Sequence, residues 1–139
     1  MAGVSPHATL TRRLDLLQVS SGTRAIPTAT AKLISPDGST RIAAAEGDGP
    51  VDAACRAIDA CIEHPTGELV EFHVDAAAEG INAVGSVRVT LRASDVPVQA
   101  HGFSVHTDII VATAEAYVAA INALARVRAR HRQATEAAA

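Results

Sequence analysis

Apolar and polar residues alternate along the first third of the chain, and the alternation gives way to a helical period near residue 50. Leu14-Asp15-Leu16-Leu17-Gln18-Val19-Ser20 reads as a strand, and Thr28-Ala29-Thr30-Ala31-Lys32-Leu33-Ile34, alternating small or polar with apolar residues, reads as a second. Ser35-Pro36-Asp37-Gly38-Ser39 has the composition of a turn. Thr40 to Ala45 is a third strand. Val51 to Ile62 is then a helix, with Val51, Ala54, Cys55, Ile58 and Ile62 on one stripe.

The same order recurs. Glu68 to Ala77 predicts a strand with Phe72, Val74 and Ala76 on one face. Asn82 to Ala93 predicts another, carrying Val84, Val87, Val89 and Leu91, and Val96 to Phe103 a third. A helix follows from Asp108, with Ile110, Thr113, Tyr117, Ile121 and Leu124 on one face and Thr107 or Asp108 as its cap. Gly47-Asp48-Gly49-Pro50-Val51-Asp52-Ala53-Ala54 leads into the first helix, and Gly102-Phe103-Ser104-Val105-His106-Thr107-Asp108 into the second. The chain therefore reads as two pseudo-symmetric strand–strand–strand–helix units of the α+β class, antiparallel sheets with helices packed on one face. Residues 1–12 are expected as a disordered lead-in and 13–126 as the domain, with repeats over 13–64 and 67–126. Residues 127–139 are expected as the helix end and a frayed tail.

The junction Glu46-Gly47-Asp48-Gly49-Pro50-Val51-Asp52-Ala53 carries the most information. Two glycines allow a sharp turn, and Pro50 suits the first turn of a helix, where its missing N–H costs nothing. Asp48 is placed to cap, and a side chain at Gly49 is expected to crowd the turn. Backbone donors at such a junction suit a carboxylate or another anionic group. The pattern is neither a P-loop nor a dinucleotide fingerprint, since it lacks Gly-Lys-Ser/Thr and GxGxxG.

Composition narrows the partners. The chain has 139 residues, 48% hydrophobic and only 2% aromatic, so its core is built from small side chains that each bury little area. Such a domain gains stability by burying a face against a second copy. The net charge is −3, which gives no reason to expect a nucleic-acid partner. The basic run Arg126-Val127-Arg128-Ala129-Arg130-His131-Arg132 reads as a complement to a helix C-terminus. No segment reads as long and apolar enough to span a membrane, and Met1 to Thr9 lacks a signal-peptide core. Cys55 and Cys61, six apart on one helix, point to different faces and cannot pair, which fits a reduced, cytoplasmic setting.

Catalytic and metal chemistry find little support. His7, His64, His73, His101, His106 and His131 are scattered, and His101 and His106 with Asp108 lack a further anchor for a metal. Ser104, His106 and Asp108 are close in sequence but form no relay on a strand. Glu46, Asp48 and Asp52 read as caps and first-turn charges. Catalysis, metal and cofactor are not expected.

Beyond these residue-level readings, an ordered series of motifs is present. Gly47-Asp48-Gly49-Pro50-Val51-Asp52-Ala53, Ala57-Ile58-Asp59, Gly80-Ile81-Asn82-Ala83-Val84-Gly85, His106 through Tyr117, and Ala120-Ile121-Asn122-Ala123-Leu124 occur in that order. The series resembles the C-terminal regulatory, or allosteric dimerisation, domain of 2-isopropylmalate synthase, over about Leu14 to Leu124. A domain of the same type closes citramalate synthases, but Thr107-Asp108-Ile109-Ile110 and Ala120-Ile121-Asn122 look more like the isopropylmalate enzyme. The resemblance implies the same architecture, a homodimer, and leucine as a feedback ligand near the dimer interface. It implies chemistry in a separate barrel domain, which needs roughly 200–250 residues; a separate synthase catalytic subunit is then a partner. Carried over residue by residue, the ligand pocket falls on Gly47, Asp48, Gly49, Val51, Asp52, Leu69, Phe72, Ala76, Ala83 and Ile109. Helix-start N–H groups would take the ligand carboxylate, Asp48, Asp52 or Asp108 its ammonium, and Val51, Leu69, Phe72 and Ile109 its isobutyl group. Phe72 stands where some members carry tyrosine, so one polar anchor is lost. The alternatives are a dimerisation module with a vestigial pocket, or a sensor of another branched-chain amino acid.

Overall fold

The computed structural model describes residues 11–63, 67–76 and 84–138, and within them the chain forms six strands and two helices. β1 (Arg13–Ser20), β2 (Thr28–Ile34) and β3 (Thr40–Glu46) form an antiparallel sheet in that order. The alternation in β2 decides its place: Ala29, Ala31 and Leu33 are buried, while the residues between them are half-buried. Ala31 lies opposite both Leu17 and Ala43, so small side chains meet on the inner face. The β2–β3 turn closes on Asp37, whose Oδ1 accepts from the Ser39 N–H at 2.9 Å and the Ser39 hydroxyl at 2.6 Å. α1 (Pro50–Ala60) then lies over β2 and β3, burying Ala53, Ala54, Ala57 and Ile58.

The second unit repeats the meander with β4 (Glu68–Ala76), β5 (Gly85–Arg92) and β6 (Ala100–His106), followed by α2 (Ile109–Ala138). Val87, Val89 and Leu91 of the central strand are buried under α2. Gly102 sits inside β6 directly under α2, where a Cβ would run into the Ala116 carbonyl and the Ala120 backbone. The closest approach of helix to sheet thus falls where a side chain is missing. The third strand, expected over 96–103, runs over 100–106.

Of the stripe expected on α1, Ala54 and Ile58 are buried, and Ala53 and Ala57 complete the buried face. Val51 and Cys55 are only half-buried, and Ile62 lies beyond the helix. α2 is buried nearly all round from Ala112 to Leu124, because it touches its own sheet, α1 and β1 at once. Three long-range hydrogen bonds fix these contacts. The Tyr117 hydroxyl donates to Asp59 Oδ1 at 2.6 Å, tying α2 to the C-terminal end of α1. Asn122, 8% exposed, accepts from the Arg12 N–H at 2.7 Å and donates to the Arg12 carbonyl at 2.8 Å. α2 continues through Ala138, its last turns exposed.

Contrary to the sequence reading, one helix does meet the length and composition of a membrane span: α2 contains a window of mean hydropathy 1.4. That window is 56% buried inside the domain, as a core helix requires.

The pseudo-symmetry breaks at β4. The inner face of β1 is met by α2 crossing from the other unit, whereas β4 packs against β5 alone. Leu69, Phe72 and Val74 lie opposite Leu91, Val89 and Val87 on the inner face, yet are 43%, 40% and 37% exposed. Among the described residues no helix covers them.

Candidate functional site

Gly47 begins the site. Its N–H donates to the Pro27 carbonyl at 3.0 Å, and a Cβ at this position would collide with the backbone of Asp52 and Ala53. The turn therefore closes directly onto the first turn of α1. Gly49 is the N-cap, with extended backbone (φ −163°, ψ 179°), and a Cβ there would meet open space. The expectation that Gly49 is sterically required is thus corrected. So is the assignment of Asp48 as cap: with Pro50 at the first helical position, the cap falls on residue 49, which has no side chain to offer.

The consequence is an open helix start. The Ala53 N–H donates to the Gly49 carbonyl, and Pro50 has no N–H. No side chain caps α1, and the Val51 and Asp52 N–H groups have no acceptor among the described residues. The Asp52 carboxylate turns back instead, accepting from the Asp48 N–H at 2.9 Å and from Arg56 Nε at 2.9 Å. The Asp48 N–H, and then Arg56, hold the Asp52 carboxyl below its usual range. The Asp48 side chain is exposed and makes no hydrogen bond or ion pair among the described residues.

The equivalent position in the second unit is closed. Asp108 precedes Ile109 as Gly49 precedes Pro50, and its Oδ1 accepts from the Ile110 N–H at 2.9 Å and the Val111 N–H at 3.3 Å. The sequence reading of Asp108 as a cap agrees with this. The reading that both helix starts are free for a ligand carboxylate does not, since α2 has its own carboxylate in place.

The apolar half lies elsewhere. Ile109 is half-buried and sits on Gly85, which pairs with Ala76 of β4. Leu69 and Phe72 thus lie on the uncovered face of β4, and Ile109 packs on Gly85 of the neighbouring β5. α1 packs on β1, β2, β3 and α2 but shares no contact with β4. Within one chain, the helix that carries Val51 and Asp52 is therefore not brought against the β4 wall. Ala83 lies outside the described residues.

Other chemistry is weak on geometry. Ser104 Oγ reaches Glu115 at 3.5 Å, and His106 Nδ1 accepts from the Asp108 N–H, so serine and histidine are not joined. The Cys55 thiol is pushed up to about 12 by burial and then by the charges of Asp59 and Asp52, which keeps it protonated and a poor nucleophile. Both cysteines are unpaired. Among the described residues no three His, Cys, Asp or Glu side chains converge. What sequence reasoning missed is the groove between β1 and α2, with Asn122 and Arg12 at its end. Asn122 on an otherwise apolar helix stretch was its visible signal.

Residues 5–125 match the family model described as the LeuA allosteric (dimerisation) domain. The chain belongs to the LeuA allosteric domain family. The match covers both units, the open α1 start and the uncovered β4. Among curated proteins, the chain is 49% identical over 112 residues to a 2-isopropylmalate synthase of Microcystis aeruginosa, covering 81% of this chain and 20% of that protein. It is 42% identical over 118 residues to the 2-isopropylmalate synthase of Prochlorococcus marinus strain NATL1A, covering 85% and 21%. It is 46% identical over 112 residues to that of Gloeobacter violaceus, covering 81% and 20%. The chain thus spans about a fifth of the length of these relatives. What it shares with them is a LeuA allosteric domain, which fits a regulatory and dimerisation role.

Proposed function

We propose that this domain binds leucine, or a close branched-chain analogue, and works as a non-catalytic feedback regulator of a 2-isopropylmalate synthase-type enzyme. The observation that carries the proposal is the difference between the two helix starts. α2 is capped by Asp108, whereas α1 presents its free N–H groups beside a glycine and an unengaged Asp48. An α-amino acid needs both features at once: a helix start for its carboxylate and a carboxylate for its ammonium.

The side chain needs a dry wall, and Leu69, Phe72, Ala76 and Ile109 on the β4 side are the residues assigned to it, with Ala83. Because α1 does not contact β4 in one chain, a homodimer is proposed in which a second copy covers the β4 face and completes the pocket. The exposed Leu69, Phe72 and Val74 support this arrangement, since such a strip costs stability when left in water. The proposed setting is cytoplasmic, with a synthase catalytic subunit as the regulated partner.

Thermal unfolding of the purified domain with added leucine tests the proposal. Leucine is expected to raise the melting temperature of the wild type. Gly49→Asp, which supplies α1 with its own carboxylate as Asp108 does for α2, is expected to fold normally and lose the shift. An unchanged wild-type melt with leucine, isoleucine and valine would leave the dimerisation module with a vestigial pocket as the reading.

A further inference from the structure

The start of α1 and the segment entering β1 are joined by two helices and three hydrogen bonds. α1 begins at the open N-terminus and ends near Asp59. There the Tyr117 hydroxyl, on a side chain 4% exposed, donates to Asp59 Oδ1 at 2.6 Å. Tyr117 and Asn122 share α2, about 7.5 Å apart along the helix axis. Asn122 holds both backbone groups of Arg12, the residue before β1, at 2.7 and 2.8 Å. A side-chain amide that pairs with the N–H and the carbonyl of one residue fixes it much as a neighbouring strand would.

We propose that Tyr117 and Asn122 are positioning residues that carry occupancy of the α1 start to the segment entering β1. The proposal rests on the reading of the α1 start as the ligand site. Each helix moves as a unit, so a shift at Val51 and Asp52 reaches Asp59 through α1 itself. The Asp59–Tyr117 bond is a direct polar tie between the helices, and they also pack together. The Asn122 clamp then converts a small movement of α2 into holding or releasing Arg12. A hydrogen bond that is either made or broken is a two-state element, which is what coupling between distant sites requires. The chemistry of the clamp explains why a polar residue is tolerated on a buried stretch of α2: with Oδ1 and Nδ2 both engaged, Asn122 leaves no unsatisfied group.

The test is a double-mutant cycle that needs no ligand. Gly49→Asp caps α1 permanently and stands in for a bound carboxylate. Amide hydrogen exchange at Arg12 through Leu17 is measured in four full-length chains: the wild type, Gly49→Asp, Tyr117→Phe and the double variant. Capping should change exchange at Arg12 by about twofold when Tyr117 is present, of the order expected from a cap worth a few tenths of a kcal/mol. In the Tyr117→Phe background the same capping should change nothing beyond error. A purely structural tyrosine would shift exchange in both backgrounds equally, and that additivity would overturn the proposal. So would an absence of any change at Arg12 on capping. Asn122→Ala repeats the cycle at the far end: loss of the capping response there supports the relay, and its persistence overturns it. Leucine titration of the wild type is read separately, so failure to bind would remove the ligand reading without altering the outcome of the cycle.

Discussion

Two glycines, two residues apart, hold opposite places in the site. Gly47 is required by contact, since any side chain there meets the Asp52 and Ala53 backbone. Gly49 has open space and extended backbone, and its value lies in the cap it does not provide. Gly47→Ala should therefore lower stability by about 1–3 kcal/mol in urea unfolding. Gly49→Asp should stay within roughly 0.5 kcal/mol of the wild type or exceed it. Asp52 gives a pH signature. Its folded-state pKa is lowered by the Asp48 N–H and by Arg56, so its contribution is present above the unfolded value and lost as pH falls through the folded one. Stability should fall on acidification below about pH 4, the range of an ordinary aspartate, and Asp52→Asn should flatten that fall in urea midpoints measured from pH 6 downward. The position of the cap was legible after all: Pro50 at the first helical position implies a cap at residue 49, and Asp48 attracted the assignment only because its side chain suits the role.

At the scale of elements, the strands were readable because a period of two is strong when one face is buried, as in β2 and β5. The bounds of β2 agree to the residue, while β6 begins and ends later than the expected 96–103, with Gly102 inside the strand in both. The helix stripes were less readable. Ala53, Ala57, Ala112, Ala116 and Ala120 do most of the close packing, and alanines do not stand out on a hydrophobic stripe. The absence of cover on β4 was not readable at all, since Phe72 and Val74 look like core residues in sequence and their exposure follows from α1 packing on the first sheet and α2 on β5, β6 and β1. That exposure carries the prediction for this scale. Val74→Lys should leave circular dichroism unchanged and convert the domain from a dimer to a 14.3 kDa monomer in sedimentation, because the strand loses only a partner's contact. Leu91→Ala, buried on the neighbouring strand, should instead cost about 2–5 kcal/mol of folding stability.

For the whole molecule, two repeats of one motif have diverged into one closed helix start and one open one, and into one covered edge strand and one uncovered one. The proposed amino-acid-binding dimer would use both differences. Such a domain should release no thiol from acetyl-CoA with 2-ketoisovalerate, and a metal-dependent rate above the blank would contradict a purely regulatory role. The most direct measurement of the central claim is isothermal calorimetry of the wild-type chain with leucine and with alanine. Burying an isobutyl group is worth roughly 2 kcal/mol, so leucine should bind more than tenfold tighter than alanine, at one per chain. Gly49→Asp should give no heat. Equal affinity for the two amino acids, or leucine binding undiminished in Gly49→Asp, would contradict the assignment of the α1 start and the β4 wall as the site.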